Sequence, residues 1–181
     1  KKFDHIPVLV DSVIEYLEPE SSGIYLDCTV GMGGHALAIL EKSSPNGRLI
    51  GLDVDSEAIT EAKNKLAKYK SRVELFHASY TQLDRVLDSL GIDKVDGILF
   101  DFGVSSLQLD KPSRGFSFQY DSPLDMRMDT SDSLNAKQVV NNASREELVK
   151  IFRDFGEERW SKRIADRIVK ERERKPITTT S

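Results

Sequence analysis

The chain has 181 residues, of which 39% are hydrophobic and 31% charged, with 26 basic and 30 acidic side chains. This composition is close to that of an average water-soluble domain, and it excludes fibrous, collagen-like and intrinsically disordered proteins. The sequence predicts neither a signal peptide, since no apolar core follows Lys1–Asp4, nor a membrane span, since it has no apolar run of about 18 residues. The single cysteine, Cys28, cannot form an internal disulfide, and three scattered histidines do not make a zinc site. We therefore expect a cytoplasmic protein without a metal site.

The first hundred residues alternate between predicted helices and strands. Apolar residues at helical spacing predict helices over 10–17, 36–42, 58–69 and 83–90. Short apolar runs predict strands over 24–29, 48–52, 72–77 and 95–101. The strand interiors are almost entirely apolar, which indicates a parallel sheet covered on both faces. The predicted fold class is therefore α/β.

The pattern changes after the fourth predicted strand. Residues 102–129 contain glycine, proline, serine and aromatic residues without periodicity, which predicts an ordered functional loop. Ser144 and Glu147 have the spacing of a capping box and predict a helix through Phe155. An apolar stripe of Trp160, Ile164 and Ile168 then predicts a second helix. No fifth strand is predicted.

The charges are unevenly distributed along the chain. Residues 145–175 contain eleven basic and eight acidic side chains, a net charge of +3, whereas the remainder carries −7. A basic helix is compatible either with contacts to nucleic acid phosphates or with an ordinary solvated surface.

Three features are predicted to meet at one edge of the sheet. Ligands of an open parallel sheet bind beyond the carboxyl ends of the strands, near the point where the strand order reverses. A glycine turn over 31–34 follows the first predicted strand, Asp53 ends the second and Asp101 ends the fourth. Because Asp53 comes about twenty residues after the glycines, we expect its carboxylate to accept hydrogen bonds from both hydroxyl groups of a ribose.

The glycine turn alone is compatible with two cofactors. Residues 31–36 also satisfy the relaxed dinucleotide pattern G-x-G-x-x-A, so an NAD-binding oxidoreductase is an alternative. Asp27 favours S-adenosylmethionine, because a carboxylate four residues before the first glycine crowds a pyrophosphate but can hold an ammonium group. A purely structural role for Asp27, capping the turn over 29–31, is the other interpretation.

Longer motifs carry a more specific resemblance. They are DCTVGMGGH at 27–35, DFGVSSLQL at 101–109, RGFSF at 114–118 and PLDMRMD at 123–129. In this order they resemble the MraW (RsmH) family of S-adenosylmethionine-dependent methyltransferases, which act on N4 of a cytosine in the decoding centre of bacterial 16S ribosomal RNA. The resemblance extends from His5 to Ile177 and so covers almost the whole chain.

The resemblance implies a Rossmann-like class I methyltransferase fold with an inserted helical subdomain. It assigns residues 1–110 to the cofactor domain and 111–181 to a substrate loop and the start of the helical subdomain. The implied cofactor contacts are Gly33, Gly34, His35, Asp53, Tyr80, Asp101 and Gln108. Tyr80 stands where the family usually has phenylalanine beside the adenine. Without the family, Tyr80 and His35 are equally compatible with a structural role at the start of a helix.

The reaction implied by the resemblance needs correct placement of the cytosine amino group. Asp101, or a carbonyl in 102–105, is predicted to accept a hydrogen bond from that group and so raise its nucleophilicity. The alternative is that Asp101 only binds cofactor.

The implied partner is 16S ribosomal RNA within the small subunit. Phe102, Phe116 and Phe118 are candidates to hold the target base, although loop aromatics also form local cores. Arg114, Arg127 and the basic segment 159–175 are candidates for phosphate contacts. A module that binds RNA without catalysis is a further alternative.

Family members continue beyond the residue corresponding to Ser181, with more helix and the remaining strands of the sheet. We therefore expect this chain to represent part of a longer protein, with an incomplete sheet. The fourth strand would then have a bare apolar edge, which favours self-pairing.

Overall fold

The structure, a computed structural model, describes residues 7–181, so that the start of the resemblance at His5 lies outside the described residues. The chain divides into two compact units, the first ending at Ser105 and the second comprising Ser106–Ser181. This division falls slightly before the boundary expected after residue 110.

The first unit contains the alternating strands and helices. Its strands are β1 (Ile24–Asp27), β2 (Arg48–Asp53), β3 (Val73–His77) and β4 (Gly97–Leu99). Its helices are α1 (Val10–Leu17), α2 (Gly34–Lys42), α3 (Ser56–Lys65) and α4 (Leu83–Ser89). Short 3-10 turns cover Ala67–Tyr69 and Tyr80–Gln82.

All strand pairs are parallel, and the strand order is β3-β2-β1-β4. The predicted α/β class with a parallel sheet is confirmed. The chain moves outward from β1 to β3 and then crosses back to place β4 on the other side of β1, which is the order reversal of a Rossmann-like sheet. In register, Asp27 of β1 lies beside Gly51 of β2 and Leu99 of β4. The carboxyl ends of these three strands are therefore neighbours.

The inner strands are buried on both faces, as predicted, but β4 is not. Leu99 packs against the core cluster around Tyr25, and Gly97 lies against Leu17 of α1. Ile98, which points to the other face, is exposed. The prediction that every strand is covered on both faces is wrong here. On that face the apolar cluster includes Leu26 of β1 and Ile50 of β2 but does not extend to Ile98 of the edge strand β4.

Gly51 brings the turn after β1 close to the sheet. A Cβ atom at this position would lie 2.6 Å from Leu75 Cδ2 and 3.0 Å from Val30 Cγ2. Without a side chain at Gly51, Val30 packs directly over β2, and its N–H donates to the Leu52 carbonyl at 2.9 Å. The glycine turn that begins at the next residue is therefore anchored to the sheet.

The second unit is helical. It contains α5 (Ser106–Asp110), α6 (Ala136–Asn142), α7 (Arg145–Lys150) and α8 (Ser161–Arg174), with a 3-10 turn over Pro112–Arg114 and a π-helical turn over Ile151–Phe155. Its core is formed by Leu148, Val149 and Ala165. No helix in the described part of the chain is both long and apolar enough to cross a membrane.

Capping boxes begin two of these helices. The predicted one is confirmed, with the Ser144 hydroxyl accepting from the Glu147 N–H and the Glu147 carboxylate accepting from the Ser144 N–H. Asn135 and Gln138 form a second capping box at the start of α6, a helix that the apolar periodicity did not predict. Trp160 precedes α8 and is 49% exposed, so its predicted place in the apolar stripe is wrong.

Candidate functional site

The first unit places three carboxylates along one edge of its sheet. Asp27 ends β1, Asp53 ends β2, and Asp101 follows β4. Adjacent strands are about 4.8 Å apart, and β1 lies between the other two, so Asp27 stands in the middle of this acidic row. The row is fixed by backbone contacts: the Cys28 N–H donates to the Leu99 carbonyl at 2.9 Å, and the Asp101 N–H donates to Thr29 Oγ1 at 2.7 Å.

The two carboxylate oxygens of Asp27 differ in their surroundings, because one accepts a hydrogen bond from the turn and the other has no partner among the described residues. Its side chain is buried, and Oδ1 accepts from the Thr29 N–H at 3.1 Å, which is the predicted capping of the turn. Oδ2 is buried without a hydrogen-bond partner among the described residues. Burial raises the pKa of Asp27 to about 7, and the negative charges of Asp53 and Asp101 add to this effect, whereas the Thr29 N–H opposes it. An uncompensated buried carboxylate favours a cationic ligand.

Asp53 is held at the glycine turn by backbone donors. Oδ2 accepts from the Gly31 N–H at 2.8 Å, and Oδ1 accepts from the Asp55 N–H at 2.9 Å. Burial raises the pKa of Asp53, and the hydrogen bonds from Asp55 and Gly31 oppose that rise. Each carboxylate oxygen can accept a further hydrogen bond, so the predicted recognition of both ribose hydroxyls stays a prediction.

The glycine turn leads directly into α2. Gly31 and Gly33 have φ values of +51° and +80°, in the left-handed region that favours glycine. Helix α2 begins at Gly34 without a side-chain cap, so the positive end of its dipole faces the turn. A Cβ atom on Gly33 would lie 3.2 Å from Leu66 Cδ1, which ties the turn closely to the end of α3.

His35 connects the start of α2 to the acidic row. Its ring is buried, and Nε2 lies 2.8 Å from the Val8 carbonyl oxygen. A carbonyl only accepts hydrogen bonds, so this contact assigns the ring proton to Nε2. In the neutral ring Nδ1 is then an acceptor, and it lies 4.0 Å from Asp101 Oδ2. Two acceptors at this separation are suited to a ligand that donates to both.

Three exposed aromatic rings lie beside Asp101. The Tyr80 ring packs edge-on against Phe100 and Phe102, with centroid distances of 6.0 and 5.5 Å, and the two phenylalanine rings stack at 5.4 Å. Tyr80 is 43% exposed and Phe102 69% exposed, so neither is a core residue. The role of Tyr80 as a purely structural residue at a helix start is therefore not favoured. Phe102 is among the predicted site residues, whereas Phe100 is not, because Phe100 lies within the strand predicted to be buried.

The remaining predicted site residues belong to the second unit. Gln108 is buried on α5, Phe116 is partly buried and Phe118 is exposed. Arg114 is buried, and its Nη2 donates to the carbonyls of Arg127 and Met128 at 3.0 and 2.9 Å. This geometry favours a role for Arg114 in shaping the loop over the predicted contact with phosphate.

Arg127 is also engaged within the loop. Its Nε and Nη2 donate to the two carboxylate oxygens of Asp125 at 2.9 and 2.7 Å, and this pairing lowers the pKa of Asp125. Its Nη1 donates to the carbonyls of Thr130 and Asp132. A guanidinium with all three nitrogens occupied is poorly placed to bind phosphate.

Comparison with known proteins gives a match over the whole chain. The sequence profile of the MraW methylase family matches residues 2–181. Two curated relatives, each named ribosomal RNA small subunit methyltransferase H, come from Caldicellulosiruptor saccharolyticus and Geotalea uraniireducens. Each is 54% identical over 178 residues, covering 98% of this chain and 58% and 57% of the respective relative. This chain therefore spans less than two thirds of the length of these curated relatives.

Similarity to solved structures is weaker. A Clostridium thermocellum protein, provisionally described as an rRNA methylase, has a TM-score of 0.47 at 23% identity over 55% of this chain and 54% of that chain. This likeness is too low to bear on the function.

Proposed function

The chain belongs to the MraW methylase family, and we propose on that basis that it forms the cofactor-binding part of an S-adenosylmethionine-dependent methyltransferase. The proposed reaction is methylation of N4 of a cytosine in the decoding region of bacterial 16S ribosomal RNA. The names of the relatives at 54% identity support this substrate class. A ribosomal substrate also supports a cytoplasmic location for the protein.

The buried Asp27 Oδ2 is the observation that carries the choice of cofactor. This oxygen has no partner among the described residues, and two further carboxylates, Asp53 and Asp101, act on it electrostatically. NAD would bring a negatively charged pyrophosphate toward the acidic row, which is unfavourable. S-adenosylmethionine carries a sulfonium and an ammonium group, which the row attracts. The residues present therefore fit S-adenosylmethionine better than a dinucleotide.

We assign the cofactor contacts by the chemistry of each residue. Asp27 Oδ2 accepts from the ammonium group, and the N–H groups at the start of α2, around Gly33, Gly34 and His35, bind the methionine carboxylate. Asp53 accepts from the ribose hydroxyls, and the exposed ring of Tyr80 stacks on the adenine. From the second unit, the family pattern adds Gln108.

When bound, S-adenosylmethionine supplies a methyl group already activated by its sulfonium. The chain then has to orient the cytosine amino group and exclude water. The Asp101 backbone is fixed by Thr29 Oγ1, and its side chain is exposed. We propose that this carboxylate accepts a hydrogen bond from the amino group and stabilises the positive charge that develops there. Phe102 stacks on the extruded base, with Phe116 and Phe118 as further candidates.

The decisive experiment is transfer of labelled methyl groups from S-adenosylmethionine to small ribosomal subunits that lack the modification, followed by mapping of the methylated nucleotide. Incorporation at N4 of a decoding-region cytosine is expected. RNA binding without incorporation would instead support a binding module. Calorimetric titration with S-adenosylmethionine and with NAD tests the cofactor separately, and binding of NAD alone would overturn the proposal.

A further inference from the structure

An exposed tryptophan just before α8 has two guanidinium groups close to its ring. Trp160 is 49% exposed, and the guanidinium carbons of Arg159 and Arg163 each lie 5.1 Å from its ring centroid. We refer to Arg159, Trp160 and Arg163 as the Trp160 platform. Its backbone is fixed by Glu158, whose carboxylate accepts from the Trp160 N–H at 2.7 Å.

Arg159 and Arg163 differ from Arg167 and Arg174 in having no anionic partner among the described residues. In the part of the chain that the structure describes, neither Arg159 nor Arg163 forms an ion pair or a hydrogen bond through its guanidinium. Further along the helix, Arg167 and Arg174 both pair with Glu171, at 3.0 and 3.6 Å. The free positive charge of these arginines is thus concentrated at the N-terminal end of α8, beside the indole.

A second exposed ring and a further lysine extend this surface along the sequence. Phe155 ends the π-helical turn before α8 and is 81% exposed. Lys162, which lies between Trp160 and Arg163 in the sequence, is also exposed. Neither Phe155 nor Trp160 belongs to the core of Leu148, Val149 and Ala165. Large aromatic rings that remain in water beside unpaired cations are typical of binding surfaces.

The chemistry of this surface fits a segment of unpaired RNA. An indole and a guanidinium plane both offer faces on which bases stack, and arginine binds phosphate in a bidentate geometry. Unpaired bases are required, because bases in a duplex do not expose the faces that stacking needs. An acidic polypeptide would satisfy the cations but would leave the indole face without a matching ring.

We propose that the Trp160 platform binds a single-stranded segment of the RNA substrate, with a base stacked on Trp160 and the adjacent phosphates held by Arg159 and Arg163. The inference rests on the proposed function in so far as that function supplies an RNA substrate. It goes beyond the cofactor site by assigning an RNA contact to the second unit.

Trp160 is the only tryptophan of the chain, so its fluorescence reports directly on the platform. Titration with a mixed-sequence single-stranded RNA of about twelve nucleotides is expected to quench it. The double variant Arg159→Ala/Arg163→Ala should weaken binding at least tenfold and reduce the slope of log K against log salt by roughly 1.4, the value for two lost phosphate contacts. For Trp160→Ala, followed by anisotropy of labelled RNA, we expect a roughly tenfold loss that Trp160→Phe partly restores.

The matched control is Arg145→Ala/Arg153→Ala, which removes the same charge from the second unit at positions outside the basic segment, where the guanidinium groups pair with Asp166 and Asp154. It should leave affinity and salt slope nearly unchanged, whereas a loss equal to that of the platform variant would overturn the proposal. Equal binding of an RNA duplex, or quenching by polyglutamate in place of RNA, would also overturn it. Calorimetry with S-adenosylmethionine on the same proteins separates this inference from the proposed function. Intact cofactor binding without RNA binding contradicts the platform alone, and RNA binding without cofactor binding contradicts the proposed function alone.

Discussion

The Asp53 carboxylate accepts a hydrogen bond from the Gly31 N–H at 2.8 Å, which joins the end of β2 to the turn that follows β1. The same carboxylate accepts from the Asp55 N–H at the start of α3. One side chain therefore organises the turn and the helix while keeping acceptor sites for a ligand.

The substitution Asp53→Asn should impair both functions. An asparagine amide offers one acceptor oxygen, so the N–H of either Gly31 or Asp55 loses its partner. We expect a loss of about 1–3 kcal/mol in the free energy of unfolding and at least a tenfold weaker affinity for S-adenosylmethionine. Urea unfolding and calorimetry measure the two effects. Glu61→Gln, an exposed carboxylate on α3, is the control for the change of charge, and equal behaviour of the two variants would contradict the prediction.

A pair of glycine substitutions separates backbone strain from damage to the site. Gly33 and Gly91 both have positive φ, at +80° and +66°, so alanine at either position should cost about 1–2 kcal/mol. At Gly91 the added Cβ meets no atom within 4 Å, whereas at Gly33 it lies 3.2 Å from Leu66 Cδ1 and 3.4 Å from Ala62 Cα. Gly33→Ala should therefore be the less stable variant and should bind S-adenosylmethionine more weakly. Unchanged cofactor affinity in Gly33→Ala would show that the turn does not hold the ligand.

The raised pKa of Asp27 makes stability depend on pH with an unusual sign. Between about pH 4 and pH 7 the folded protein keeps the Asp27 proton that the unfolded chain has released, so the free energy of unfolding falls as pH rises. The effect is on the order of 4 kcal/mol at most. Asp27→Asn keeps an oxygen for the Thr29 N–H and should flatten this part of the stability curve. Asp93→Asn, which changes an exposed carboxylate, should leave it in place.

Because the pKa of Asp27 is raised, we expect this carboxyl group to release a proton when the cofactor binds. An ammonium group beside Asp27 favours its ionised form, so binding of S-adenosylmethionine near pH 6 should release a proton. Calorimetry in buffers of different ionisation enthalpy measures this release. Its absence in the wild-type protein, or its persistence in Asp27→Asn, would place the ammonium group elsewhere.

Substitutions of Tyr80 and Phe102 should separate binding of the cofactor from binding of the target base. Tyr80→Ala should weaken the affinity for S-adenosylmethionine, whereas Phe102→Ala should preserve it within about threefold and lower methyl transfer to RNA roughly tenfold, in line with the loss of one stacked base. Tyr16→Ala, which removes an exposed ring from α1, is the control. If Phe102→Ala weakens cofactor binding as much as Tyr80→Ala does, the three rings serve the cofactor together.

Apolar runs and glycine spacing predicted the four strands in their order along the chain, and the rule for open parallel sheets predicted the meeting of the glycine turn, Asp53 and Asp101. Contacts between side chains that are distant in the sequence cannot be predicted from these local patterns. Nothing in the local sequence links Tyr80 to Phe102, because the two rings meet only after β4 has paired with β1. An apolar stripe also does not show whether its first residue is buried by the rest of the fold. Trp160 is the first residue of the predicted stripe, and it is exposed beside Arg159 and Arg163. Helix α6 had a readable signal in Asn135 and Gln138, but its apolar face is short.

Gly51 is buried within β2, and its missing side chain allows Val30, and with it the start of the glycine turn, to pack close to the sheet. A larger residue there would lift Val30, and with it the whole turn, away from β2. The space between the glycine turn and the sheet thus depends on a strand residue as well as on the residues of the turn itself. A redesign of this fold for a bulkier or thinner cofactor would have to begin at Gly51 and its neighbour Leu75, before any change to the turn itself.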